Sequence, residues 1–406
     1  MAYENIMMKV ELRDGINYVN YQAEVLLKKK KGTNKQNFYS FLSKVSIRND
    51  SLADIEDATL TVSSDWPCLL IEDTHISDIQ VKKTTEIDAF TVYLNAMELY
   101  KLNSPIITNL TFRLIDKEGE CIFSTVETLK VLPIEEAVSD IIGDRLDILS
   151  SFVTPECDEV KKLAKTASNI MESLYNRKDF AGYQYHDPNK VKEEAHAAFM
   201  AVQSVGIRYS EPPASFEKTF QKVRLPYQVI KEKVGTCLDL SILYCSVLES
   251  IGLNPLLFLV SGHAYAGVML DEETLPHNVE DNTTLLTNAI SEGINKILVI
   301  NPTDVTSSTV AIPFENSINN AKIYTLNGSG LKAIDIYLSH RGETLPIPTP
   351  HEISTGEYSV DISLLEKSYQ ETIEKIDLEH RGVVMSRDDY APKDKFEYFV
   401  KNQMTL

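Results

Sequence analysis

Cysteine is scarce in this chain of 406 residues: Cys68, Cys121, Cys157, Cys237 and Cys245 are odd in number and never form a C-x-x-C pair. That pattern excludes a disulfide framework and a zinc cage, and neither a metal nor another cofactor is expected. Long apolar runs are missing too. No stretch approaches the roughly 20 apolar residues that span a bilayer. The opening M-A-Y-E-N-I-M-M-K-V-E lacks the apolar core of a signal peptide, so a cytoplasmic protein without membrane attachment is expected. Positive charge is in deficit: 40 Lys and Arg against 59 Asp and Glu leave a net charge of -19. Binding phosphates over a broad face needs cations, so no direct nucleic-acid binding is expected. The G-x-x-x-x-G-K-[ST] spacing that wraps a nucleotide is absent, and Asn327-Gly-Ser-Gly-Leu-Lys332 reads as a turn.

What is present is apolar material for more than one core, at 43% of residues. From Tyr3 to about Leu132 the pattern is strand-like. Tyr18 to Leu27, Tyr39 to Ile47, Ala58 to Val62, Cys68 to Ile71, Ala89 to Leu94, Asn109 to Leu114 and Val126 to Val131 are separated by turn chemistry such as Asp116-Lys-Glu-Gly119. An antiparallel, immunoglobulin-like β-sandwich over residues 1–133 is the expectation. Lys28 to Lys31 reads as solvated edge protection.

Helical periodicity follows, over Glu135 to Phe152 and Asp158 to Tyr175, which gives bridging helices in 134–180. The Ala-rich stretch Asn189 to Val205 predicts another helix, with His196 as a packed or surface residue. Further helices are expected near Thr284 to Glu292 and Phe314 to Asn320. Residues 343–406 read as a Pro-rich linker, Glu343 to Tyr358, and an amphipathic tail helix, Val360 to Leu378. The sandwich or that tail helix could each engage a protein partner.

The chemistry concentrates in Gly235 to Val268, which reads as helix, strand, strand. Thr236 is placed to cap a helix whose first turn carries Cys237, and a thiol at a helix N-terminus sits in a field that favours the anion. His263 opens a strand and Asn301 ends the next one. A nucleophile needs a base within reach, about 4 Å in an unliganded site, and the base needs a third group to hold its ring and tautomer. Cys237, His263 and Asn301 fit those three roles, with Asp304 as the alternative orienter. Asp239 reads as part of the helix start and a local salt bridge. Gln221, with Gln228 behind it, is a candidate amide donor to an oxyanion hole completed by the Cys237 backbone. Cys245 is expected to be a small core residue.

G-T-C-L-D, then G-H-A-Y-A-G-V, then a strand ending N-P-T resemble the transglutaminase-like branch of the papain-like cysteine peptidases. That family places its cysteine in G-x-C-x-D, its histidine at the start of the following strand and an aspartate in a D-P-T turn. The resemblance implies an α+β fold over 181–342, Cys237 as nucleophile and His263 as general base. Asn301 stands where the family has aspartate, which leaves a Cys-His-Asn triad in which Asp at position 301 is expected to be tolerated. A protein or peptide substrate would be cleaved through a thioester. The alternatives are transfer to an amine or a non-catalytic interaction module that keeps the fold.

A wider similarity, over about residues 1–340, rests on F-V-T-P at Phe152, G-Y-Q at Gly182, I-R-Y-S-E-P-P-A-S-F-E at Ile207 and Q-K-V-R-L-P at Gln221. It is to the front end of large bacterial helicase-linked proteins, some of them tied to defence against foreign DNA. With no Walker motif, no ATPase activity is implied for this chain.

Overall fold

The computed structural model describes residues 5–13, 15–19, 21–22, 41–66, 69–94, 98–99, 101–138, 145–210, 220–306, 311–342, 344–352 and 358–360. It is a mixed α+β protein with several antiparallel sheets.

In the first third the strands are β1 (Ile6–Leu12), β2 (Leu42–Asn49), β3 (Ile55–Ser64), β4 (Leu69–Ile71), β5 (Thr74–Ile79), β6 (Thr84–Ile87), β7 (Val92–Leu94), β8 (Ile106–Ile115) and β9 (Cys121–Val131). They form a three-stranded sheet β1-β2-β6, a four-stranded sheet β5-β3-β8-β9 and a β4-β7 pair, all antiparallel. Alternation decides which side each strand buries. In β8, Thr108, Leu110, Phe112 and Leu114 are buried while Ile107, Asn109 and Arg113 face out. Val45 and Ile47 from one sheet and Leu60 and Phe112 from the other share a single apolar cluster.

Two expectations fail here. Residues 18–19 and 21–22 are helical, not strand, with both Tyr18 and Val19 buried; strand alternation would have put one of them in solvent. The helix expected over Glu135 to Phe152 is replaced by β10 (Glu136–Val138) and a 3-10 turn, Leu146–Phe152. β10 finds a tertiary partner in a later strand, Phe220–Lys222, and that pairing overrides local periodicity. Lys28 to Lys31 and the tail beyond Val360 lie outside the described residues.

The second part begins with α1 (Asp158–Tyr175) and α2 (Pro188–Gln203), which pack against each other through Ala167, Met171, Ala197 and Ala201. Next come β11 (Arg208–Tyr209), β12 (Phe220–Lys222), α3 (Pro226–Glu232), β13 (Val234–Gly235), α4 (Cys237–Ser250), β14 (Pro255–Val260), β15 (His263–Met269), β16 (Val279–Glu280), α5 (Thr283–Ile290) and β17 (Ile297–Ile300). A 3-10 turn, Pro302–Val305, leads to α6 (Phe314–Asn327), β18 (Lys332–Asp335), α7 (Ile336–Arg341) and the hairpin β19 (Pro350–Glu352) and β20 (Tyr358–Val360). The central sheet runs β16-β18-β14-β15-β17 and is antiparallel throughout. Gly262, at φ +79°, closes the two-residue turn between β14 and β15.

Parity splits the sheet into two faces. Ala264, Ala266 and Val268 of β15 join the large cluster on the α4 side. Tyr265 and Met269 join Leu286, Ile290 and Ala321 of α5 and α6 on the other. Helix α4 is enclosed: Leu238 through Leu248 are all buried. Its polar side chains are therefore bonded, with Ser241 donating to the Cys237 carbonyl at 2.7 Å and Tyr244 to the Ala195 carbonyl at 2.7 Å. The motif segments clamp this helix and the sheet. Thr154 N donates to Ser246 Oγ, and Tyr183 Oη joins the Met269 carbonyl to Asn254 N.

The far end of α4 is tied down by His340. Its Nδ1 lies 2.8 Å from Glu249 Oε1 and its Nε2 lies 2.9 Å from the Ser150 carbonyl. The segment expected to be a free linker packs here instead. Thr344 Oγ1 lies 2.7 Å from Ser150 Oγ, Ile347 N donates to the Ser151 carbonyl at 2.7 Å, and Ile347 is buried. Replacing His340 by Ala strands a mostly buried carboxylate, and a loss of about 2 kcal/mol is expected. The check is the urea midpoint at neutral pH, and no shift would show that the tie is not stabilising.

Candidate functional site

Cys237 is the first residue of α4 and is partly buried. Thr236 is the N-cap: its Oγ1 accepts from Asp239 N at 3.3 Å, and the Asp239 carboxylate accepts from Thr236 N at 3.0 Å. This reciprocal pair ends the chain's extended run and starts the helix at the cysteine. Asp239 also accepts from Arg224 N at 2.9 Å and Arg224 Nη1 at 3.1 Å. The buried carboxylate thus belongs to the helix start and a salt bridge, as expected from sequence. Tyr209 pairs in parallel with Gly235, so β11 and β13 hold the approach to the cap.

His263, at the start of β15, donates from Nε2 to Asn301 Oδ1 at 3.1 Å. The direction is fixed by the far side of the amide. Asn301 Nδ2 donates to Asp304 Oδ2 at 3.2 Å, a carboxylate that can only accept, so Oδ1 faces the ring and Nε2 carries the proton. Nδ1 is left with its lone pair. Burial holds the His263 ring below the ordinary histidine pKa, opposed by the bond to Asn301 and by the negative charge of Asp304. The Tyr324 ring covers the imidazole with centroids 4.0 Å apart, and Tyr265 stacks at 6.2 Å.

Asn301 caps the 3-10 turn that carries Asp304, and Asp304 N donates to the Asn301 carbonyl. Ser317 of α6 accepts from Asn301 N at 3.0 Å and donates to Asn301 O at 2.9 Å. Asn320 Nδ2 donates to Asp304 Oδ2 at 3.0 Å. Ser317, Asn320 and Tyr324 lie three and four residues apart on α6, so one helix face serves Asn301, Asp304 and His263 in turn. Sequence reasoning missed all three. Helical spacing of polar residues after N-P-T-D was the available signal, but only the first turn or two of α6 were expected.

The structure therefore brings His263, Asn301 and Asp304 together. Helix α4 packs against β15 and against the Pro302–Val305 turn, the two segments that carry them. Among the described residues the Cys237 thiol makes no hydrogen bond to the ring. Gln221 lies on β12, its backbone opposite Ala137, and its side chain is outside the described residues. Gln228 is spent elsewhere, its Oε1 accepting from Leu225 N at 2.8 Å to cap α3. Two other thiols are held protonated: burial drives Cys245 far up, and Cys157 is pushed up to about 12, again chiefly by burial. Among the described residues no cluster of three or more His, Cys, Asp or Glu could hold a metal ion, and no helix is long and apolar enough to cross a membrane.

No family model matches this chain, and no curated protein matches it significantly.

Asp239→Ala removes the acceptor for three N–H groups and is expected to cost about 1.5 to 3 kcal/mol, while Asp239→Asn keeps one acceptor oxygen and costs less. Denaturant unfolding of the two variants tests the order. Equal loss would mean that charge alone matters there.

Proposed function

We propose that this chain is a cysteine hydrolase of the transglutaminase-like, papain-like kind, acting on an amide bond of a protein or peptide. The observation that supports it most is the Nε2 bond of His263 to Asn301, which leaves Nδ1 basic on a strand that packs against the helix opened by Cys237. In this reading the thiol proton moves to His263 Nδ1 and the thiolate adds to the substrate carbonyl carbon. The tetrahedral oxyanion collapses, the C–N bond breaks, and the leaving amine takes the proton from His263. Water then attacks the thioester, gives its proton to the same nitrogen, and releases the acid and the free thiol. An amine entering in place of water would give transfer.

The thiol and ring draw together as substrate seats, since catalytic hydrogen bonds tighten in the bound complex. A second reading, an interaction module that keeps the site without turnover, rests on the lack of a thiol–imidazole hydrogen bond among the described residues. Iodoacetamide separates the two. In a Cys68→Ser, Cys121→Ser background, Cys237 is expected to react at neutral pH and Cys157 and Cys245 to stay unmodified. His263→Ala should slow the Cys237 reaction about 10-fold or more at pH 7, because an unassisted cysteine is only a few per cent thiolate there. Equal rates with and without His263 would favour the module.

A further inference from the structure

The Asp expected at position 301 is not simply missing; a carboxylate stands three residues later, behind the amide. Asp304 is buried and accepts from Asn301 Nδ2 at 3.2 Å and from Asn320 Nδ2 at 3.0 Å. An amide has one accepting end and one donating end. Rotated by a half turn, Asn301 would offer N–H to the ring, Nε2 would have to accept, and the proton would sit on Nδ1, the nitrogen needed as base. Among the charged groups of the described residues, Asp304 is the one whose field reaches His263, and the described aromatic neighbours are Tyr265 and Tyr324.

We propose that Asn301 and Asp304 work as one unit, in which Asp304 is a positioning residue that locks the Asn301 amide and through it the Nε2–H tautomer of His263. Asn320 holds the carboxylate from α6. The carboxylate is thus kept one hydrogen bond away from the ring and acts on it through a neutral amide. On this proposal Asp at 301 is not tolerated while Asp304 is present: two carboxylates would then face each other across a contact that is 3.2 Å long in the native pair. The inference builds on the proposed role of His263 but makes its own demand on the ring.

The unit is tested by exchange. In the full chain with nitrogen-15 histidine, the native His263 ring is expected to show a protonated Nε2 and an unprotonated Nδ1 above its titration range. Asp304→Ala frees the amide, and the Nδ1 signal should move towards the protonated range. Asn301→Asp alone should lower the thermal midpoint. Asn301→Asp with Asp304→Asn restores one donor facing one carboxylate, with Asn320 turned to accept, and should recover most of the midpoint and the native tautomer. An unchanged ring in Asp304→Ala would overturn the proposal. If that variant does not fold, the exchange decides: a double variant no better than Asn301→Asp alone would overturn it. Should the tautomer respond as described while Cys237 alkylation ignores His263, the unit stands and the hydrolase reading falls.

Discussion

A buried carboxylate has to be met by donors, and at Asp304 the two donors it finds determine how the site is built. One comes from Asn301, which fixes the amide and the proton on His263. The other comes from Asn320, which sets the rotation of α6. Once α6 is set, Ser317 grips the Asn301 backbone and Tyr324 lies over the imidazole. The last residue of α6 is followed by Gly328, where a Cβ would sit 2.6 Å from Val260 Cγ1, so the helix can leave close over β14 only because that side chain is absent. One ion thereby links β15, β17 and α6 around a single ring.

The Cys237 side rests on the same principle. Helix α4 is buried on all sides, so its ends must be satisfied within the protein. At the start, Asp239 does this with Thr236 and Arg224; near the end, one carboxylate oxygen of Glu249 meets His340. Burying Leu240, Leu243, Val247 and Leu248 is worth about 1.5 to 3 kcal/mol for each side chain. That fixes the rod and leaves Cys237 as its partly exposed tip. The two halves of the site are each held by their own hydrogen bonds, and α4 packs against β15 and the Pro302–Val305 turn without a hydrogen bond from the thiol to the ring among the described residues.

Much of this was legible in the sequence where local chemistry decides. Thr236 and Asp239 announce a capped helix, alternation announces β8, a continuous apolar run announces β14, and Asn301-Pro302 announces the end of β17. The antiparallel sheet of the first third followed from that, while the α+β class of the second part was what the resemblance implied. What was not legible depends on partners distant in sequence. β10 is a strand because β12 pairs with it, and the segment after Glu343 packs because Ser150 and Ser151 receive it. The role of Asp304 was half visible: its place after N-P-T suggested an orienter of the ring, but only the fold shows it bonded to the amide. Strands β5 and β6 were missed because short runs such as Thr84–Ile87 carry too few apolar residues for a period to emerge.

The central claim is that Cys237 becomes acylated with His263 as its base. An activated ester, p-nitrophenyl acetate, tests it directly by stopped-flow absorbance with mass spectrometry of the quenched protein. The account predicts a burst of nitrophenolate equal to one site per chain, with the acetyl group on Cys237, and no burst in Cys237→Ala or His263→Ala. No burst from the native chain, or acetyl found on other residues while Cys237 stays free, would contradict it.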